Sequence, residues 1–497
     1  MTALGLIRSA GAEPCRPWPR HVLAAPDWAR LVPLLRDDPL RLVALWADTV
    51  QVHALWLDED ALSALAVSTT VEDGVYPALS PARPGAALYE RMVRDLWGHV
   101  AAGGVDERAW LDHGHWPHSR PLALRPGPPP PAAEPPELLI GDGEGLMQVP
   151  IGPVEGLIEP AAHLRLTMAN DRTERAEARL GYAHKGTLAL MRGKSPRAAA
   201  RFAARLSAEA TVAHSIAFAV AAEEALQVEA PPRAVGLRGI MLETERVAGH
   251  LSTLEAVAEV TGADGLRMAA GRLREYVLRA CQAAFGHRLM MDCVVPGGLA
   301  LDMAPDGAQA VLRAMGTVSS GLGGLRRMTE RFSFAVRLRN VGRVSRDLVD
   351  RLAAGGVAGR AAGRRMDARL LGRLYADLDH TPALEQDGDA AARCRVLLAE
   401  IAESLRLIGY LLRILPDGAT SVALPQTSGE GIGSAESSRG DVWHWLRLDH
   451  GQIASVFPRD PGWALWPLAE AAMRRAPFED IGLIRASFGL SASGTDL

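Results

Sequence analysis

The sequence has 497 residues, a formal net charge of −4 and 48% hydrophobic residues, which predicts more than one domain and an ample core. Its arginines are interleaved with aspartate and glutamate and form no basic tract, which argues against a nucleic-acid-binding protein. No apolar run reaches the ~20 residues that span a bilayer, and the opening "MTALGLIRSAGAEPC" has too short an apolar stretch for a secretory signal. We therefore expect a cytoplasmic chain without a membrane span.

The sequence contains four cysteines, Cys15, Cys281, Cys293 and Cys394. No two of them form a Cys-x-x-Cys pair, whereas iron–sulfur clusters and structural zinc sites usually draw on closely spaced thiolates. The spacing predicts reduced, mostly buried thiols and no metal held by this chain.

A proline-rich segment, "RPGPPPPAAEPP", divides the chain. Such a segment is stiff and poor in backbone donors, so residues 126–136 are predicted to be a linker. Before it, residues 1–125 combine a helical stretch in "DWARLVPLLRDDPLRLVALWA" with the strand-like "VQVHALWL". This mixture predicts a small α+β domain.

Residues 137–497 begin with two strand candidates, "LMQVPIG" and "AHLRLTMAN", and continue with long helical patterns. Two helices are predicted to meet near Ser207. The next helix opens with two prolines, ends before Gly262 and carries apolar residues at helical spacing. The segment "AARCRVLLAEIAESLRLIGYLLRIL" predicts another long helix. The fold class is therefore α+β, with a large, mainly helical second domain that has small peripheral β-sheets.

Seven sequence words occur in order over residues 148–497. They are "IGPVEGLIEPAAHLRL", "GYAHKG", "VAHSIAFAVAAEEAL", "PPRAVGLRGIMLETERVAGHLS", "GGVAGRAAGRRMDAR", "SAESSRGDVWHW" and "LIRASFGLSASGTDL". Together they resemble the large subunit of membrane-bound nickel–iron hydrogenases of the formate hydrogenlyase type (group 4). They are more distantly similar to the 49 kDa subunit of respiratory complex I, which forms the quinone site.

The first domain resembles the small, 30 kDa partner subunit of complex I, which some of these enzymes carry fused at the N-terminus. The words that carry this likeness are "GVYPALSPARPGAALYERMVRDLWGHVAAGGVDERAWL" and "HWPHSRPLALR". The resemblance implies a fusion protein and accounts for the linker.

The nickel–iron centre of the resembled hydrogenases is held by two Cys-x-x-Cys pairs. At the matching positions this chain has Ser207, Ala210, Ser491 and Gly494. A neutral hydroxyl is a poor ligand for soft metals, and alanine and glycine offer no side-chain donor. We therefore expect no metal and no nickel–iron site.

In the complex I relatives, a histidine on the first strand turn and a tyrosine near the first lost pair contact the quinone. Here the turn carries Glu155, and the tyrosine position is Ala208. These departures predict altered quinone contacts.

A polar set remains near these positions, and the resemblance implies that several of its members converge on the former active-site cavity. Histidines and buried carboxylates can pass protons near neutral pH, and the alternative is a set of structural ion pairs. The candidates are Glu155, Glu159, His163, His184, Arg205, Glu209, His214, Glu436 and Arg439.

The resemblance implies a subunit of a membrane-bound oxidoreductase complex that couples electron transfer to proton or ion movement. The expected partners are an iron–sulfur small subunit and antiporter-like membrane subunits, which would hold the chain on the inner face of the cell membrane. NAD, where used, belongs to another subunit. Two alternatives stay open: a quinone-reducing NADH dehydrogenase-type subunit with altered contacts, and a catalytically inactive structural subunit.

Overall fold

A computed structural model describes residues 2–129, 138–139, 143, 145–155, 160–372, 375 and 378–497. Most of the predicted linker, residues 130–136, and the candidate Glu159 lie outside the described residues.

The N-terminal part folds around a five-stranded sheet in the order β1-β2-β5-β4-β3, in which the β2–β5 pair is parallel and the others antiparallel. A short parallel pair, β6–β7, lies beside it. The elements are α1 (Ala3–Ser9), β1 (Gly11–Glu13), β2 (Arg20–Leu23), α2 (Ala25–Leu34), β3 (Arg41–Ala47), β4 (Gln51–Asp58), β5 (Ser63–Thr70), β6 (Val75–Pro77), α3 (Ala86–Trp97) and β7 (Val100–Ala102).

The helical pattern predicted over residues 27–47 is correct only for its first half. Helix α2 ends at Leu34, and the apolar run "RLVALWA" forms strand β3. Six of the seven β3 residues are buried, because both faces of the sheet are covered. A strand buried on both faces reads as a continuous apolar run, which periodicity alone does not separate from a buried helix.

Aromatic side chains join this sheet to the C-terminal part of the chain. The ring of Trp46 on β3 lies 5.3 Å from Trp445 and 5.5 Å from Phe457. On α3, Tyr89 stacks on Trp463 at 4.5 Å. The N-terminal part therefore packs on the C-terminal part through its sheet as well as through helix α3.

The rest of the chain contains two further three-stranded antiparallel sheets, β10-β9-β8 and β13-β14-β15, and a set of long helices. The strands are β8 (Leu146–Ile151), β9 (His163–Ala169), β10 (Arg172–Arg179), β11 (Val294–Val295), β12 (Gly298–Leu299), β13 (Gly429–Glu436), β14 (Asp441–Asp449) and β15 (Gln452–Arg459). The helices are α4 (Thr187–Met191), α5 (Pro196–Ala203), α6 (Thr211–Leu226), α7 (Pro232–Val260), α8 (Asp264–Phe285), α9 (Gly307–Thr329), α10 (Phe332–Leu338), α11 (Arg346–Arg351), α12 (Gly356–Ala361), α13 (Ala390–Ile414), α14 (Gly462–Met473) and α15 (Ile481–Phe488).

Helices α7, α8, α9 and α13 form the bundle predicted for the second domain. Helix α7 starts after Pro231, and the chain leaves it through Gly262, whose positive φ of 67° suits glycine. The predicted helix pair near Ser207 is also confirmed as α5 and α6. No described helix is both long enough and apolar enough to cross a bilayer.

Helix α6 lies directly on strand β13, and glycines on the strand permit the close approach. A Cβ added at Gly429, Gly431 or Gly433 would lie 2.0, 2.1 or 2.2 Å from a carbonyl oxygen of α6. The alternation places all three glycines on one face of the strand. This contact fixes α6, and with it the turn at Ser207, against the C-terminal sheet.

A buried ion network connects the bundle to the C-terminal sheet. Glu400 on α13 accepts from Arg246 Nη2 of α7 at 2.5 Å and from Arg360 Nε of α12 at 2.6 Å. Arg360 also donates to Glu436 Oε1 at 2.8 Å. Charges removed from water in this way stabilise a fold only while each keeps its partner. Further members of the network are Glu243, His250, Asp367, Arg369 and Tyr375.

The network makes Glu400 a strong determinant of stability. Glu400→Gln should lower the free energy of unfolding by about 3–5 kcal/mol, because two buried guanidinium groups lose a charged partner. Urea unfolding at pH 7 measures the loss. The matched control is Glu385→Gln, whose partner Arg395 is about half exposed, so the change should stay below about 1 kcal/mol.

Comparison of the wild-type chain with Glu400→Gln also tests how the stability depends on pH. Burial alone would raise the pKa of Glu400, but Arg360 and Arg246 hold it well below its ordinary value of 4.5. The stabilisation is therefore complete above pH 4.5 and decreases as the pH falls below it. The wild-type chain should lose stability more steeply than Glu400→Gln between pH 5 and pH 3. Parallel pH profiles would contradict this assignment.

Candidate functional site

Two turns meet at the centre of the candidate site. The first lies between α5 and α6 and contains Ser207, and the second follows α15 and contains Ser491 and Gly494. Lys185 joins them, since its Nζ lies 2.8 Å from the carbonyl oxygen of Ser493 and 3.3 Å from that of Leu206. The turn that contains Ser207 and the turn that contains Ser491 and Gly494 therefore lie together in space.

A cavity of about 780 Å³ opens where these turns meet helices α7 and α8. Its buried polar members are Ser207, Glu245, Ser438 and Arg439. Apolar side chains line part of the remainder: Ala248, Ala256, Leu278, Leu289, Met290, Leu490 and Trp466. Charged side chains line the other part: Glu155, Glu209, Glu259, Arg274, Arg288 and Arg485. The cavity thus combines a buried polar wall with apolar and charged surfaces.

Arg439 projects into this polar wall from the hairpin between β13 and β14. Its Nη2 donates to Ser207 Oγ at 2.8 Å and to Asp460 Oδ2 at 3.2 Å, while Nε lies 3.4 Å from Glu209 Oε2. Its Nη1 is buried and has no hydrogen-bond partner among the described residues. A buried guanidinium nitrogen without an acceptor is costly, so this atom can bind an oxygen that enters the cavity.

Asp460 occupies the space next to Gly494. A Cβ at Gly494 would lie 2.3 Å from Asp460 Oδ2 and 2.7 Å from its Cβ. The carboxylate is fixed there, because Oδ1 accepts from Gly462 N at 2.7 Å and Oδ2 faces His214 Nε2 at 3.1 Å. Burial alone would raise the pKa of Asp460, but Arg439 and His214 hold it well below its usual range.

His214 extends this polar chain into the interior. Its Nδ1 lies 3.0 Å from His444 Nε2, and both rings are fully buried. Burial lowers the pKa of His444 well below its ordinary value. A neutral His444 can donate from Nε2 to His214 Nδ1, and His214 can then donate from Nε2 to Asp460.

Glu245 provides the second carboxyl of the cavity. It lies on α7 and accepts from Val212 N at 2.6 Å and Ala213 N at 3.0 Å, in the first turn of α6. Burial raises the pKa of Glu245 to about 8, despite these two hydrogen bonds. At neutral pH the group is mostly an uncharged acid that holds an exchangeable proton.

Among the predicted candidates, Glu155, Glu209 and Arg439 line the cavity, together with Ser207, Ala208 and Ser491. Glu155 does so in a bidentate ion pair with Arg485. His214 lies behind the cavity wall and reaches Arg439 through Asp460. Ala210 is fully buried beside the turn.

The other described candidates lie outside the lining of the cavity. Arg205 is about half exposed and pairs with Asp292, because it points away from the turn. Glu436 is buried in the ion network on Arg360, and burial raises its pKa to about 7. His184 packs against Trp116 and places Nδ1 2.6 Å from the Asp496 carbonyl oxygen. His163 lies on β9, where burial lowers its pKa.

Sequence reasoning missed Glu245, Asp460 and His444. One signal was available for Glu245, since "LETER" places three charged residues directly after the apolar run "IML" of a helix, and charges that become buried need partners. Nothing in the local sequence marks Asp460, whose role arises from its contact with Gly494. Among the described residues, no three His, Cys, Asp or Glu side chains are grouped so as to hold a metal ion.

Comparisons with known proteins agree with the resemblance. Residues 261–428 match the family model described as respiratory-chain NADH dehydrogenase, 49 Kd subunit. Formate hydrogenlyase subunit 5 of Escherichia coli (strain K12) is 28% identical over 85% of this chain and 77% of its own length. The membrane-bound hydrogenase subunit alpha of Pyrococcus furiosus is 27% identical over 63% of this chain and 79% of its own.

A third relative, an NADH-quinone oxidoreductase subunit of Ehrlichia canis, is 30% identical over 54% of this chain and 72% of its own length. Hydrogenase and complex I sequences thus match the same chain, and subunits of membrane-bound hydrogenase and complex I-type complexes are its homologues. The chain therefore belongs to the family that unites the large subunits of group 4 hydrogenases with the 49 kDa subunit of complex I.

Proposed function

We propose that this chain is a subunit of a membrane-bound, complex I-like oxidoreductase complex in which a metal-free polar cavity replaces the nickel–iron centre. Its role is to hold and pass protons while a partner subunit transfers electrons. The observation that carries this proposal is the Asp460 carboxylate, which lies where a side chain at Gly494 would begin.

The residues present do not fit a nickel–iron centre. Ser207 and Ser491 offer neutral hydroxyl groups, and Ala210 and Gly494 offer no donor, whereas soft metals require thiolates. Ser207 Oγ already accepts a hydrogen bond from Arg439. The position of Asp460 opposes even a restored cysteine at 494, because its carboxylate is tied to His214, Arg439 and Gly462.

The charges at the polar wall suit proton transfer. Arg439 and Asp460 form a fixed pair of opposite charges, and the buried Glu245 keeps its proton near neutral pH. A charge change in an adjacent redox subunit would shift the proton affinity of Glu245 through the low-dielectric interior. The His214–His444 pair connects Asp460 to the interior through hydrogen bonds.

The family supports further parts of this proposal. The partners are an iron–sulfur small subunit that docks beside the cavity and antiporter-like membrane subunits, with the chain peripheral on the inner face of the membrane.

Residues 1–125 are a fused 30 kDa-like domain joined by the linker at 126–136. The match to formate hydrogenlyase subunit 5 covers 85% of this chain. Residues 137–497 are a smaller share of the chain, so the match also includes part of residues 1–125. Proteolytic cleavage within residues 126–136 should leave two folded parts.

A second candidate function is quinone binding with altered contacts. The unpartnered Nη1 of Arg439 and the protonated Glu245 can donate to a carbonyl oxygen, and the apolar walls suit a ring. Calorimetry with a water-soluble quinone tests this candidate. Saturable binding that Ala256→Trp abolishes by filling the cavity would favour it, and no binding to the wild-type chain would remove it.

The metal content of the purified chain tests the main proposal. Elemental analysis should find nickel, iron and zinc far below one atom per chain, because no thiolate lies at the four positions. Gly494→Ala should destabilise the chain, since the added Cβ displaces Asp460, while Gly265→Ala, where a Cβ meets nothing within 4 Å, serves as the control. One nickel per chain, or a Gly494→Ala variant as stable as the control, would contradict the proposal of a metal-free site.

The proton on Glu245 is a separate prediction. Infrared difference spectra recorded between pH 6 and pH 10 should show a buried carboxylic acid that ionises near pH 8, because burial raises the pKa of Glu245 to about 8. Glu245→Gln should remove this band. The control is Glu259→Gln, which changes an exposed carboxyl at the same cavity and should leave the band unchanged. Loss of the band in both variants, or in neither, would refute the assignment.

A further inference from the structure

A cationic surface lies where α9 ends and α10 follows. Residues 326–343, here called the α9–α10 patch, contain six arginines and one glutamate. This concentration of positive charge contrasts with the chain as a whole, whose net charge is −4. Neither the cavity nor the proposed redox role uses these side chains.

Most arginines of the patch lack acidic partners. Arg337 pairs with Asp480 on the turn before α15, and Arg343 donates to the carbonyl oxygen of Asp387. By contrast, four exposed arginines have no carboxylate within 4.0 Å among the residues that the structure describes. These four are Arg326, Arg327, Arg331 and Arg339. Their charge is therefore available to an anionic partner.

Exposed apolar side chains accompany these charges. On α10, Phe332 is 82% exposed and Val336 47% exposed, while Phe334 and Leu338 are buried in the core. Phe332 and Val336 are four positions apart, so they share one face of the helix. Phe478, 51% exposed, belongs to the turn whose Glu479 carbonyl oxygen accepts from Arg337 Nη2 at 3.1 Å.

We propose that the α9–α10 patch binds directly to an anionic lipid surface. Exposed aromatic residues flanked by arginines suit the boundary between headgroups and acyl chains, where the ring is buried and the guanidinium groups meet phosphates. A fluid anionic surface needs no matching shape, which suits an aromatic side chain that stands almost fully out of the protein. An acidic protein partner is the alternative outcome of the test. The proposal does not depend on the chemistry of the cavity.

The experiment uses the full chain and sedimentation with vesicles. Vesicles of phosphatidylcholine containing phosphatidylglycerol should bind the chain, and vesicles of phosphatidylcholine alone should bind it weakly. Binding should weaken strongly between 50 mM and 500 mM salt, because salt screens exposed charges. Equal binding to both vesicle types, or binding that is insensitive to salt, would overturn the proposal.

Substitutions in the α9–α10 patch test whether this surface binds the vesicles. Arg326→Gln/Arg327→Gln should weaken binding to anionic vesicles about fivefold for each arginine removed, and Phe332→Ser about tenfold. Matched controls elsewhere are Arg192→Gln/Arg197→Gln at exposed arginines and Leu301→Ser at a leucine that is 75% exposed. The controls should bind like the wild-type chain. Equal loss of vesicle binding in the patch and control variants would refute the lipid assignment. So would a chain that does not bind vesicles but binds an acidic protein through the patch.

Discussion

The carboxylate of Glu400 between Arg246 and Arg360 is the interaction on which the site depends. It joins helices α7, α12 and α13 in a region where no water can replace a missing partner. Arg246 also donates from Nη1 to the carbonyl oxygens of Glu436 and Ser437, and these residues begin the turn that carries Arg439. Its neighbour on α7, Glu245, faces the cavity. One ion network thus supports both Glu245 and the turn that carries Arg439.

A second constraint is the close contact between α6 and β13. Because the strand has glycines at this contact, the carbonyl oxygens of α6 can lie within 2.2 Å of the points where Cβ atoms would otherwise stand. The contact brings His214 on α6 to His444 on β14 and to Asp460, which follows β15. The polar chain behind the cavity is therefore a consequence of backbone packing. The same packing holds Asp460 beside Gly494 and keeps the turn at Ser207 close to the C-terminal turn.

The sequence patterns predicted the elements whose signal is local. Helices α7 and α13 have long periodic apolar faces and clear ends, and both were located correctly. Strand β3 was taken for helix because tertiary packing covers both of its faces. The site was harder to predict, since Asp460 and Gly494 are neighbours only in space. Arg205 shares a sequence word with Ser207, yet its side chain points outward to Asp292.

The two buried carboxyls of the site affect stability in opposite directions. Arg439 and His214 hold the pKa of Asp460 below its ordinary value of 3.8, despite its burial. The ion pair of Asp460 therefore stabilises the fold at pH values above 3.8. Glu245 lowers the stability of the fold at pH 7. Its carboxylate is ionised in the unfolded chain and must take up a proton on folding, because burial raises its pKa to about 8. From the ordinary value of 4.5, that uptake costs on the order of 3 kcal/mol at pH 7. Burial raises the pKa of Glu245 this far even though Arg439 and Arg246 favour its ionised form. A proton retained at such a cost is a feature expected of a functional carboxyl.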